Sequence, residues 1–97
     1  MNQPEPSCER EFVVQNELGL HARPAGRFAA LAGRFQAAIE VGCGDTWVEG
    51  DSVLDLLSLA AAQGTRLRIR AVGGDAEQAV AALGALLENP REDGAPT

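Results

Sequence analysis

The sequence predicts an α+β domain in which an antiparallel sheet carries helices on one face. Three observations lead there. Apolar residues repeat at strand spacing in some segments and at helical spacing in others, in the order β-α-β-β-α-β-α. Each helical segment is apolar on one side, so each needs one partner layer. One strand alternates cleanly between apolar residues and arginines, which leaves one sheet face open to water.

Residues 1–9, with two prolines and little to bury, are expected to form a disordered N-terminal extension, and the domain is expected to span 10–89. From Arg10 to Gln15, Phe12 and Val14 alternate with Glu11, Val13 and Gln15, as in a strand with one buried face. Asn16 to Gly19 reads as a turn. From Ala22 to Phe35, the residues Ala25, Phe28, Ala29, Ala32 and Phe35 recur at helical spacing, with Arg27 and Arg34 elsewhere on the wheel. Ala37, Ile39, Val41 and Cys43 alternate next, and Gly44-Asp45 separates them from Thr46-Trp47-Val48-Glu49, predicting a hairpin.

Ser52 to Ala60 predicts a short helix, with Ser52 and Asp55 as a capping box. Leu56, Leu59 and Ala60 share one side and are assigned to the core. Val53, Leu54 and Leu57 cluster roughly 120° around the helix, which makes them a candidate docking patch. In Thr65 to Val72, Leu67, Ile69 and Ala71 point inward, and Arg66, Arg68 and Arg70 point outward toward cross-strand partners Glu11 and Glu40. A last helix is expected from Asp75, as N-cap with Gln78 at the capping-box position, to Asn89, and Pro90 stops it. Residues 90–97 are polar and rich in breakers, and are expected to be a disordered C-terminal tail.

Composition narrows the function. Fourteen acids against eight arginines, a net charge of −6, disfavour a grip on nucleic acid phosphates, and no aromatic residues interleave with the arginine strand to stack bases. No apolar run is long enough to span a membrane, and the polar, acidic start does not resemble a signal peptide, so a cytoplasmic protein is expected. Cys8 and Cys43 are too few for a disulfide framework or a metal site, and no cofactor motif is present. Nothing in the sequence calls for an oligomer, and a monomer is expected.

The candidate site is Gly19-Leu20-His21-Ala22-Arg23-Pro24-Ala25, which holds the single histidine. Pro24 suits the first turn of a helix and places His21 beside the helix N-terminus. Backbone N–H groups there lack intrahelical partners and the helix end carries about half a positive charge, so an anion is stabilised. A neutral ring nitrogen can attack phosphorus, and the forked guanidinium of Arg23 matches phosphoryl oxygens. These residues point to a phosphohistidine site. An independent hydrolase fits poorly, because one histidine has neither a nucleophile at motif spacing nor a second metal ligand.

The heptapeptide at His21, the segment Asp51-Ser52-Val53-Leu54 through Leu57-Ser58-Leu59, and the turns Gln63-Gly64-Thr65 and Ala71-Val72-Gly73-Gly74-Asp75 together resemble HPr, the histidine-containing phosphocarrier family of the bacterial phosphotransferase system. The resemblance runs from about Arg10 to Glu88. It implies an open-faced β-sandwich of four antiparallel strands with three helices on one face. It implies that His21 accepts a phosphoryl group from phospho-enzyme I and passes it to IIA domains of sugar permeases, with Arg23 holding the group. Arg23, Pro24, Arg27, Arg34, Val53, Leu54 and Leu57 are then the expected partner contacts. Ser52 matches a regulatory serine that a dedicated kinase, HPr kinase/phosphorylase, modifies in some bacteria to engage a transcription regulator. Glu49, Asp51 and Asp55 surround it with negative charge. A carrier of the nitrogen branch and a regulatory binding module controlled through Ser52 are the alternative readings.

Overall fold

The computed structural model describes residues 5–89, so the expectations for residues 1–4 and 90–97 lie outside the described residues. The element order is β1 (Ser7–Val13), α1 (Ala22–Ala32), β2 (Ala38–Cys43), β3 (Thr46–Glu49), α2 (Val53–Ser58), β4 (Arg66–Val72) and α3 (Ala76–Glu88). The strands form one antiparallel sheet in the order β1-β4-β2-β3. The α+β, open-faced β-sandwich architecture with order βαββαβα is therefore as expected.

The inward strand residues Phe12, Ile39, Val41, Leu67, Ile69 and Ala71 are buried in one cluster with Phe28 of α1, Leu56 of α2 and Val80, Leu83 and Leu87 of α3. Apolar burial on a single face explains why the helices collect there and leave the other face wet. Both cysteines are free thiols, half-buried against this core.

Three boundaries and one capping contact differ from the sequence reading. β1 starts at Ser7 rather than Arg10, because β4 is long enough to pair Ser7 with Val72 and Cys8 with Ala71. α1 ends at Ala32 rather than Phe35, since the Arg34 and Phe35 N–H groups bond to carbonyls three residues back and tighten the last turn. Phe35 still packs against the core. α2 ends at Ser58 and Ala60 takes a left-handed φ of 51°, which turns this residue, assigned to the core, out to solvent.

The fourth difference concerns Asp75. It precedes α3 as predicted, but its carboxylate makes no cap bond to that helix. Instead its two oxygens accept the N–H groups of Gln36, at 2.9 Å, and Ala37, at 2.8 Å, and tie the start of α3 to the strand that follows α1. The Gln36 N–H contributes most to holding the Asp75 carboxyl below its usual range; desolvation pushes the other way, and the Ala37 N–H adds to the lowering.

On the wet face, Glu40 of β2 lies opposite Arg70 and accepts its guanidinium at 3.1 Å from Nε and 2.5 Å from a terminal nitrogen. Glu11, the other expected partner, lies opposite Arg68 in register. Arg68 sends its guanidinium instead to the Gly44 carbonyl and to the ring of Trp47. Trp47 thus shares the face with both arginines, Arg70 stacking 3.8 Å and Arg68 4.6 Å from its ring centroid. A side chain at Gly42 would meet that ring at 2.9 Å, so the glycine provides the floor on which the indole lies.

Candidate phosphoryl-acceptor site

The loop from Asn16 to His21 is fixed before the helix begins. The Asn16 side chain accepts the Leu18 N–H at 3.1 Å, and its carbonyl accepts the Gly19 N–H at 2.9 Å. Gly19 adopts a φ of 75° and sits so close to the α2–β4 connection that a Cβ would lie 2.3 Å from the Ala61 carbonyl oxygen. Only glycine meets both conditions without strain. The next residue, Leu20, is buried and donates its N–H to Ala61 at 2.8 Å. This anchoring leaves His21 with a defined position one residue later.

His21 is the N-cap of α1, with extended backbone (φ −87°, ψ −170°). Its N–H bonds the Gly19 carbonyl and its own carbonyl accepts the Ala25 N–H, each at 2.9 Å. The imidazole makes no capping bond and is half-buried, so the cap is made by backbone and the ring is left for chemistry. In the first turn, the N–H groups of Ala22 and Arg23 have no intrahelical acceptor, and Pro24 has no N–H to satisfy. No acidic residue occupies that turn to compete for an anion. Arg23 is exposed beside it.

The expected partner residues divide into separate places. Pro24 is buried on α1, where its fixed φ suits the first turn. Leu54 is 79 % exposed and Val53 is 38 % exposed, while Leu57 is half-buried against the core and presents less of itself than the helical wheel suggested. α2 packs on α1, which brings this patch to the helix that His21 caps. Arg27 and Arg34 lie elsewhere, along a groove between α1 and α3. Leu18, 76 % exposed in the loop before His21, is an apolar surface residue that the sequence reading overlooked; its place between two turn residues was the available signal.

Ser52 is the N-cap of α2 and its Oγ accepts the Asp55 N–H at 3.2 Å, the role its capping box predicted. The Asp55 carboxylate in turn accepts the Glu49 N–H at 3.3 Å. Among the described residues, no cluster of three histidine, cysteine or acidic side chains is placed to hold a metal ion, and no helix is long and apolar enough to cross a membrane.

Comparison with known proteins bears on the fold and on the family of the chain. The family model described as the PTS HPr component phosphorylation site matches residues 8–89. The phosphocarrier protein HPr of Pseudomonas putida is 38 % identical over 86 residues, which cover 88 % of this chain and 96 % of that protein. The phosphocarrier protein NPr of Shewanella violacea is 39 % identical over 80 residues, 82 % of this chain and 88 % of that one. The crystal structure of HPr-C-His from Thermoanaerobacter tengcongensis superposes with a TM-score of 0.84 at 33 % identity, covering 90 % of this chain and 98 % of the other. With family model, sequence relatives and fold in agreement over nearly all the described residues, the chain belongs to the HPr family of the phosphotransferase system, whose members are phosphocarrier proteins and not enzymes.

Proposed function

We propose that His21 is the phosphoryl acceptor, that phospho-enzyme I is its donor, and that the IIA domains of sugar permeases receive the group from it in the cytoplasm. The observation that carries this reading is the uncommitted imidazole of His21 at the N-cap of α1, beside the unpartnered N–H groups of the first turn. The lone pair of a ring nitrogen attacks phosphorus in line, a P–N bond forms, and the bond from phosphorus to the donor breaks with its electron pair returning to the donor. Arg23 and the first-turn N–H groups take up the charge on the phosphoryl oxygens. Transfer onward reverses the same steps. One exposed arginine and a few amides bind lightly, as a carrier that must release its group requires.

Exposed Leu54 and Val53 supply an apolar surface on which donor and acceptor dock in turn. Incubation with phosphoenolpyruvate and enzyme I, followed by intact mass before and after mild acid, tests the reading. Acid-labile phosphate is expected on the natural chain and none on His21→Ala. Labelling that survives that substitution overturns it.

The NPr relative supports a second reading, a carrier of the nitrogen branch. Parallel assays with enzyme I of the sugar branch and with its nitrogen-branch counterpart distinguish the two by rate. Regulation through Ser52 is a third reading, which the capping geometry does not require. An added phosphate there would face Glu49, Asp51 and Asp55, with the α2 N-terminus as partial compensation. Acid-stable phosphate after incubation with HPr kinase/phosphorylase would support that regulation and the recruitment of a transcription regulator.

A further inference from the structure

Between Arg34 and Arg66 the chain carries no basic residue, yet Glu40, Asp45, Glu49, Asp51 and Asp55 all fall in that stretch. Glu40 is paired with Arg70 on the wet face of the sheet. Among the described residues, no ion pair reaches Asp51 or Asp55. Asp51 is exposed just before the Ser52 cap of α2, and half-buried Asp55 follows Leu54, its carboxylate accepting the Glu49 N–H at 3.3 Å. Exposed Val53 and Leu54 lie between the two acids in sequence, so carboxylates flank the apolar surface of this helix.

Covering Val53 and Leu54 removes apolar area from water, but a charge at the edge of such a contact favours only a partner of opposite sign. A second copy of this chain fits poorly. A twofold contact through α2 would bring the same patch of both molecules together, setting the acids of one against those of the other, between chains of net charge −6. An acidic partner meets the same repulsion. Charge complementarity therefore selects a protein whose apolar pocket is edged with lysine or arginine.

We infer that the phosphoryl donor docks on α2 through an apolar pocket rimmed by basic side chains, with Leu54 in the pocket and Asp51 and Asp55 against the rim. The inference rests on the carrier reading above and adds the chemistry of the partner's surface. The acceptor surface then divides its work: Arg23 meets the transferred group, and the carboxylates of α2 meet the protein that brings it. Because the two acids lie at the edge of the patch, they act mainly on the rate of encounter, and salt screens them.

The test measures association of the full chain with unphosphorylated enzyme I by stopped flow, so that no phosphoryl charge contributes. The natural chain is compared with the double variant Asp51→Asn and Asp55→Asn, in which the new amide oxygen at 55 can still accept the Glu49 N–H, and with Asp51→Arg. At about 10 mM salt, where screening extends over about 30 Å, the double variant is expected to associate about tenfold more slowly and Asp51→Arg more slowly again. At about 1 M salt the three rates are expected to converge, which also shows that the variants are folded. Faster association of either variant gives the partner an acidic rim and overturns the inference, and equal rates at low salt overturn it by removing the acids from the contact. Self-association of the natural chain that Leu54→Asp abolishes assigns the patch to a second copy and overturns it as well. The carrier reading is judged separately by acid-labile phosphate on His21: its presence together with any of these three outcomes removes only the basic rim, and its absence removes both.

Discussion

The ring of Phe12, on β1, occupies the space where a side chain at Gly84, inside α3, would begin: a Cβ there would lie 2.1 Å from two ring carbons. The glycine interrupts an otherwise strong helical sequence, and the close approach of strand and helix is what it makes possible. Gly84→Ala improves helix propensity by about 1 kcal/mol but inserts a methyl into a packed ring, an overpacking that costs about 1–3 kcal/mol. Net destabilisation is expected, seen as a lower urea midpoint with an unchanged slope. A higher midpoint would show that α3 slides outward without cost.

Asp75 links acidity to stability. Its carboxyl is held below the usual range by the Gln36 N–H first, so the folded state favours the ionised form. A carboxyl lowered in the folded state adds stability that is fully present above its unfolded value of about 3.9 and lost as the pH falls through the lower folded value. Asp75→Asn is therefore expected to be less stable than the natural chain at neutral pH and to lose less stability on acidification below about pH 4. Thermal midpoints across that window check it; parallel curves for the two proteins would remove Asp75 from the account.

Trp47 is the single tryptophan and lies on Gly42 beneath two guanidinium groups, so its emission reports on the wet face. Arg70→Ala removes the closer stack, worth about 0.5–1 kcal/mol, and an exposed ion pair with Glu40 worth at most about 1 kcal/mol. A loss of about 1 kcal/mol and a red-shifted emission are expected. Phosphorylation at His21 is expected to continue unchanged, because the sheet separates this face from the helices. A slowed phosphotransfer would contradict that separation.

Leu54 projects from α2 with 79 % of its surface exposed, so it contributes little to the core. Leu54→Asp is expected to leave the unfolding free energy within about 0.5 kcal/mol of the natural chain. The same change, at the centre of the proposed docking patch, is expected to weaken enzyme I binding by about 2 kcal/mol or more. Titration calorimetry with enzyme I measures it; unaltered affinity places the docking surface elsewhere, with exposed Leu18 the next residue to substitute.

The class of fold, the element order, the arginine face and the histidine at a helix start were all legible in sequence, because hydrophobic period and capping chemistry are local properties. Leu54's exposure followed from helical spacing on the same grounds. Other relationships join residues far apart in the chain, and only the tertiary structure decided them. The β1 boundary depends on how far β4 extends, and Asp75 chose two N–H groups beyond α1 over its own helix. Trp47 found its place through a glycine on one strand and arginines on another. Local pattern specifies which face of an element is apolar; which neighbour meets it is a property of packing, which the assembled layers alone determine.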